Sequence, residues 1–195
     1  MGLAIDPDIK GSGGPWAPPL VGDTYARIQA CGTSFERGIF KFHDSVSGPR
    51  AEAFLKATLD FDGPVEPFAF DWLGRQYCVL AASLGKSGQP EVALIDPFDM
   101  SAEPLVLRGE FLGFLSSPVM LEVIEQPLFQ RWLDAAGVAS VGFDQCAGAI
   151  QPAFLGGVRA VGNLELSDIE VYWAVMRQAA LAAAPLADGE KLESL

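Results

Sequence analysis

The sequence predicts an α+β fold: a small, mainly antiparallel sheet with helices packed on it, ending in an amphipathic C-terminal helix. Three observations lead there. Strand-like runs fall in the first half of the chain and helix-like runs in the second, unlike the alternation of βαβ units. The run "VEPFAFDWLGRQYCVLAASL" (65–84) holds two strands about a tight turn. The run "SDIEVYWAVMRQAALAAA" (167–184) sets Ile169, Tyr172, Trp173, Met176 and Ala180 along one helical face.

Taken in order, residues 1–22 are rich in Gly and Pro ("GSGGPWAPP") and read as an irregular arm that Trp16 and Leu20 tack onto the body. A single domain is expected over 23–186, followed by a solvated tail, 187–195. "GIFKFHD" alternates like a half-buried strand carrying Ile39 or Phe40 and Phe42. "SVSGPRAEAFLKATLDF" reads as a helix with Pro49 near its start, Phe54, Leu55 and Leu59 on one face, and Gly63-Pro64 at its end. "PEVALID" is a third strand, closed by an Asp96-Pro97 turn, and Pro104 marks a loop. "GEFLGFLSS" and "PVMLEVIEQ" read as short helices. "PLFQRWLDAAG" is a longer one, with Leu128, Phe129, Trp132, Leu133 and Ala136 on one side and Gly137 as cap. In the last helix Ser167 and Glu170 form a capping box, and Pro185 is the stop.

Composition limits the function. The chain has 195 residues, half of them apolar, which suits one domain with a real core. Its 13 basic and 25 acidic residues leave a formal charge of −12. That repels nucleic acid and anionic lipid and attracts basic partners. Cys31, Cys78 and Cys146 make no CxxC pair and leave an odd thiol, which fits a reducing cytoplasm. No basic-then-apolar leader and no run of about 18 apolar residues occurs, so a soluble cytoplasmic protein is expected.

Candidate chemistry is sparse. Asp71, Trp72, Gly74 and Arg75 crowd the turn in "FDWLGRQY", where Gly74 supplies a positive φ and Asp71 and Arg75 pair across the turn. This reads as scaffold, and an exposed pair there contributes only about 0–1 kcal/mol. His43 is the sole histidine, with no nucleophile elbow beside it, and reads as a strand-end residue bonded to a neighbour. Asp60/Asp62 and Asp96/Asp99 are bounded by Gly or Pro and read as turn residues rather than metal ligands. "FLGGVRAVGN" lacks both GxGxxG spacing and a P-loop lysine. No catalytic residue, metal or cofactor is therefore predicted. What stands out is aromatic wealth, and any of Trp72, Trp132, Tyr172 or Trp173 left exposed would suit a protein interface.

The segment "FDQCAGAIQPAFLGGVRAVGNLELSDIEVYWAVMRQ" (143–178) resembles the C-terminal domain of a bacterial immunity-protein family. That family is associated with type VI secretion and named for an inhibitor of an antibacterial DNase toxin. The resemblance rests on Cys146, Gly148, Pro152, Leu155-Gly156-Gly157, Asn163 to Asp168, Val171 to Trp173 and Gln178. "GIFKFHD" and "FDWLGRQY" extend it to roughly residues 36–180. Typical members carry an aromatic and a lysine where this chain has Ala149-Ile150-Gln151. The N-terminal domain of some members, also found attached to tRNA-charging machinery, is not recognisable. The resemblance implies a non-enzymatic protein that binds a cognate, basic toxin in the cytoplasm, with Gln151, Phe154, Gly156, Gly157 and Arg159 near the binding face. The alternative reading is a SUKH-like interaction or regulatory module without a toxin partner. An enzyme built on His43 is the third.

Overall fold

The computed structural model describes residues 3–84 and 88–184. Among them, a seven-stranded antiparallel sheet runs in chain order. Its strands are β1 (Ile5–Lys10), β2 (Thr33–Phe35), β3 (Phe40–Phe42), β4 (Val65–Asp71), β5 (Gln76–Leu84), β6 (Pro90–Asp96) and β7 (Ser101–Leu107). A separate hairpin joins β8 (Gln145–Ala149) to β9 (Leu164–Asp168). The helices are α1 (Thr24–Arg27), α2 (Ser47–Thr58), α3 (Phe111–Leu115), α4 (Pro118–Val123), α5 (Gln126–Ala136) and α6 (Ile169–Ala183). The α+β expectation and the amphipathic C-terminal helix both hold.

The β4–β5 hairpin is the hub. Gly74 sits at φ 78°, a conformation that glycine alone adopts without steric cost. The Gly74 N–H closes the turn onto the Asp71 carbonyl at 2.9 Å. β3 and β4 are central strands, buried along their whole length, and helices cover both of their faces. On one side Phe70 meets His43 and Phe143 beside α2. On the other, Phe40, Phe68 and Tyr77 meet Tyr25 of α1 and Phe111 of α3. α5 lays Phe129 and Trp132 against Trp72.

All four tryptophans donate their indole N–H to a distant backbone carbonyl. Trp16 bonds Pro67 O (2.8 Å), Trp72 bonds Ile124 O (2.7 Å), Trp132 bonds Leu164 O (3.2 Å) and Trp173 bonds Gly74 O (2.9 Å). The rings pack in the body while their one polar atom fastens another element. Trp72, Trp132, Tyr172 and Trp173 are all buried, so none of them is an exposed interface aromatic.

Several expectations are corrected. The arm 1–22 is not wholly irregular, because Ile5–Lys10 forms the edge strand β1. Trp16 and Leu20 do fasten it, Leu20 N–H reaching the Glu66 carboxylate at 2.5 Å. "GIFKFHD" is not half-buried: Lys41 is fully buried, with its Nζ 2.8 Å from the Gln145 carbonyl and over the Phe70 ring. Pro104 lies in β7 rather than a loop, which an edge strand with a shifted register at Val92/Ala93 permits. Leu59 caps α2 rather than continuing its face, and Ala136 is exposed. The cap of α6 is Asp168, whose carboxylate accepts from Glu170 N and Val171 N, while Ser167 belongs to β9. Pro185 and the tail 187–195 lie outside the described residues.

Candidate interaction surface

The turn residues Asp71 and Arg75 pair as their spacing predicts, but in the core rather than at the surface. Arg75 Nε and Nη2 approach Asp71 Oδ2 at 2.8 and 2.7 Å, with the Asp71 side chain 0% exposed. Leu73 N (3.0 Å) and Tyr77 OH (3.2 Å) also donate to that carboxylate. Burial pushes the Asp71 carboxyl up against the pull of Arg75. Burial would push Arg75 down, but Asp71, Tyr77 and Asp96 together outweigh it and hold the guanidinium cationic. Each charge is tolerated in the core because the other is there.

From this pair a network leads outward. Arg75 Nη2 donates to Val123 O (2.7 Å) and Nη1 to Glu125 Oε1 (3.4 Å). Arg159 donates to the same Glu125 Oε1 at 2.8 Å, and its other nitrogen bonds Asp96 Oδ2 at 2.6 Å. The guanidinium also lies 4.6 Å over the Phe98 ring. Glu125 stands between α4 and α5 with φ 54°, a left-handed backbone that a residue with a Cβ adopts only when its surroundings enforce it. The structure thus joins Asp71 and Arg75 with Arg159, a grouping that sequence spacing could not reveal. Glu125 was missed altogether, and no local motif marks it.

Arg159 lies in a tightly stitched loop between β8 and β9. Asn163 binds it from within: its Oδ1 accepts from Gln151 N (2.9 Å), and its Nδ2 donates to Gln151 O (2.8 Å) and Val158 O (3.0 Å). Gln151 Nε2 returns to Leu155 O. Gly156 takes a left-handed φ of 83°. At Gly157 any Cβ would collide with the Gln151 carbonyl, so glycine is needed for close approach. Phe154 is half-buried and Gln151 is exposed. Two large apolar side chains of the loop are exposed, Ile150 (59%) and Val158 (69%), and neither was among the residues expected near the binding face.

Beside Glu125 lies an open groove of about 360 Å³ between α4 and α5. Leu121, Pro127 and Leu128 line it together with Glu122, Glu125, Gln126 and Arg131. The groove and the 150–163 loop therefore share one carboxylate, Glu125.

The other candidates are structural. His43 is buried, its Nδ1 3.0 Å from Ser47 Oγ and its Nε2 2.9 Å from Gln76 Oε1. Burial lowers its pKa to about 4, so the ring is neutral at pH 7. Asp96 and Asp99 accept from Phe98 N and Ser101 N, as turn residues do. Cys31, Cys78 and Cys146 are free thiols, and burial pushes the last two well up. Ser167, Glu170 and Trp173 serve the fold, Glu170 also pairing with Arg50 at 3.4 Å on the surface. Among the described residues no cluster of His, Cys, Asp or Glu converges as a metal site. None of their helices is long and apolar enough to cross a membrane.

The crystal structure of Atu4351 from Agrobacterium tumefaciens matches 88% of this chain, over 85% of its own, with a TM-score of 0.61 and 14% identity. The likeness is one of fold. No family model and no curated protein matches the sequence.

Proposed function

We propose that this chain is an immunity protein that binds and neutralises a cognate antibacterial toxin in the cytoplasm by stoichiometric inhibition. The observation that carries the reading is the family-like segment Phe143–Gln178. Its motif residues build one unit: hairpin β8–β9, the Asn163-stitched loop and α6. Tyr172 packs on Gly148 inside that unit, and Trp173 fastens it to the β4–β5 turn. These residues hold a surface in place rather than assemble a reaction centre. The charge of −12 supports a basic target such as a nuclease, because an acidic face can cover a surface built for phosphate. The occupied imidazole of His43 supports binding over catalysis, since both of its ring nitrogens are engaged.

The test is co-expression with the product of the adjacent gene, followed by size-exclusion chromatography, titration calorimetry and a growth assay. A stoichiometric complex with Kd in the nanomolar range, about −12 kcal/mol, together with rescue of growth, is the expected result. Absence of both complex and rescue overturns the reading.

A further inference from the structure

The geometry points to the α4–α5 groove as the seat for an arginine- or lysine-bearing segment of a protein partner. In this arrangement the basic side chain lays its aliphatic stem on Leu121, Pro127 and Leu128 and brings its cation to Glu122 and Glu125. A long basic side chain is amphipathic in just this way, apolar along its stem and charged at its tip.

Three observations carry the assignment. First, the charge pattern is one-sided: between Arg108 and Arg131 the chain carries Glu110, Glu122 and Glu125 and no lysine or arginine. Glu122, Glu125 and Arg131 line the groove, and with the linked Asp71, Arg75, Asp96 and Arg159 behind Glu125 the carboxylates still exceed the guanidiniums, four to three. Second, Glu125 is only partly committed. Both of its arginine bonds fall on Oε1, so Oε2 is the atom that can take a donor from outside. Its left-handed backbone and its two arginines fix it at the groove wall before any partner arrives, which lowers the ordering cost of binding. Third, exposed Val119 lies three residues before Glu122 on α4 and so on the same helical face, which extends the apolar surface along the helix beyond the groove. A second copy of this chain is a poor occupant, because a two-fold contact would set Glu122 and Glu125 against their own equivalents. The partner's being a toxin rests on the reading above, whereas the groove's preference for a basic segment does not.

The test has two arms. The first titrates ¹⁵N-labelled protein with the peptide acetyl-Leu-Arg-Leu-Arg-Leu-amide at up to millimolar concentration, with the Glu-for-Arg peptide as control. Amide shifts confined to residues 121–131 and Arg159, given by the basic peptide alone and weakened at least tenfold by Glu122→Lys, are expected. No shifts, or shifts centred elsewhere, overturn the proposal. Glu122 is exposed, so the variant folds. The second arm measures Glu122→Lys against the adjacent gene product. If the wild-type complex forms and the variant binds equally well, the groove proposal falls while the immunity reading stands. If no wild-type complex forms, the immunity reading falls and the peptide titration alone decides the groove.

Discussion

Replacing Arg75 with methionine keeps most of the alkyl stem and deletes the cation from the centre of the fold. The Asp71 carboxylate keeps Leu73 N and Tyr77 OH but loses its Arg75 side-chain donors, at 2.7 and 2.8 Å, in a site with no solvent access. Stranding one member of a buried pair costs about 3–5 kcal/mol. Domains are stable by about 5–15 kcal/mol in all, so the variant should keep only part of its margin. In urea, with a slope of about 2 kcal/mol per molar, the midpoint should fall by about 1.5–2.5 M without a change in slope. Adding Asp71→Asn removes the stranded charge, so the double variant should lose clearly less than the two single losses combined. A single-variant loss below about 1 kcal/mol, or strict additivity in the double, would refute the account of the pair as mutually dependent.

Three further outcomes are expected. His43 binds its proton at about pH 4 when folded and 6.5 when unfolded, so the unfolded chain holds more protons between those values. Stability should then drop by about 3 kcal/mol from pH 6.5 to 4, and urea melts of His43→Gln should show that much less acid sensitivity. Asp168→Ala should cost about 1 kcal/mol of thermal stability while Ser167→Ala costs almost nothing; equal losses would return the cap to Ser167. Gly157→Ala should cost about 1–3 kcal/mol through its collision with the Gln151 carbonyl, and its NMR spectrum should show shifts limited to residues 150–163.

How much of this was legible varies with the physics of each element. β4, β5 and β6 could be read because their apolar runs are bounded by turn residues such as Gly63 and Gly74, which act locally. β1 could not: "IDPDIK" is an edge strand with little to bury, and Pro7 and two aspartates hide it. β7 was hidden by Pro104, which only an edge tolerates. β8 (QCAGA) is built mostly of small residues, with Gly148 letting Tyr172 approach, and β9 (LELSD) is too short for its alternation to stand out. Lys41 looked like the polar half of an alternation, and only the arrival of β8 across it shows otherwise. At the candidate site, Asp71 and Arg75 were readable because they are four residues apart. Glu125 meets Arg159 across 34 positions, and no periodicity encodes that meeting.

The chain-order sheet has a consequence for assembly. Each strand from β2 to β7 pairs with the strand before it, so the sheet can grow one neighbour at a time as the chain emerges. The C-terminal unit is different. Ala147 N reaches Trp72 O, and Trp173 reaches Gly74 across 99 residues, so it has nowhere to dock until the β4–β5 turn exists. The segment 143–178 should therefore arrive last, with Trp173→Phe accelerating unfolding while leaving the refolding rate nearly unchanged. A slowed refolding limb would show the docking to be early instead. On the expected order, the part of the chain proposed to meet a partner is set in place only on a finished scaffold.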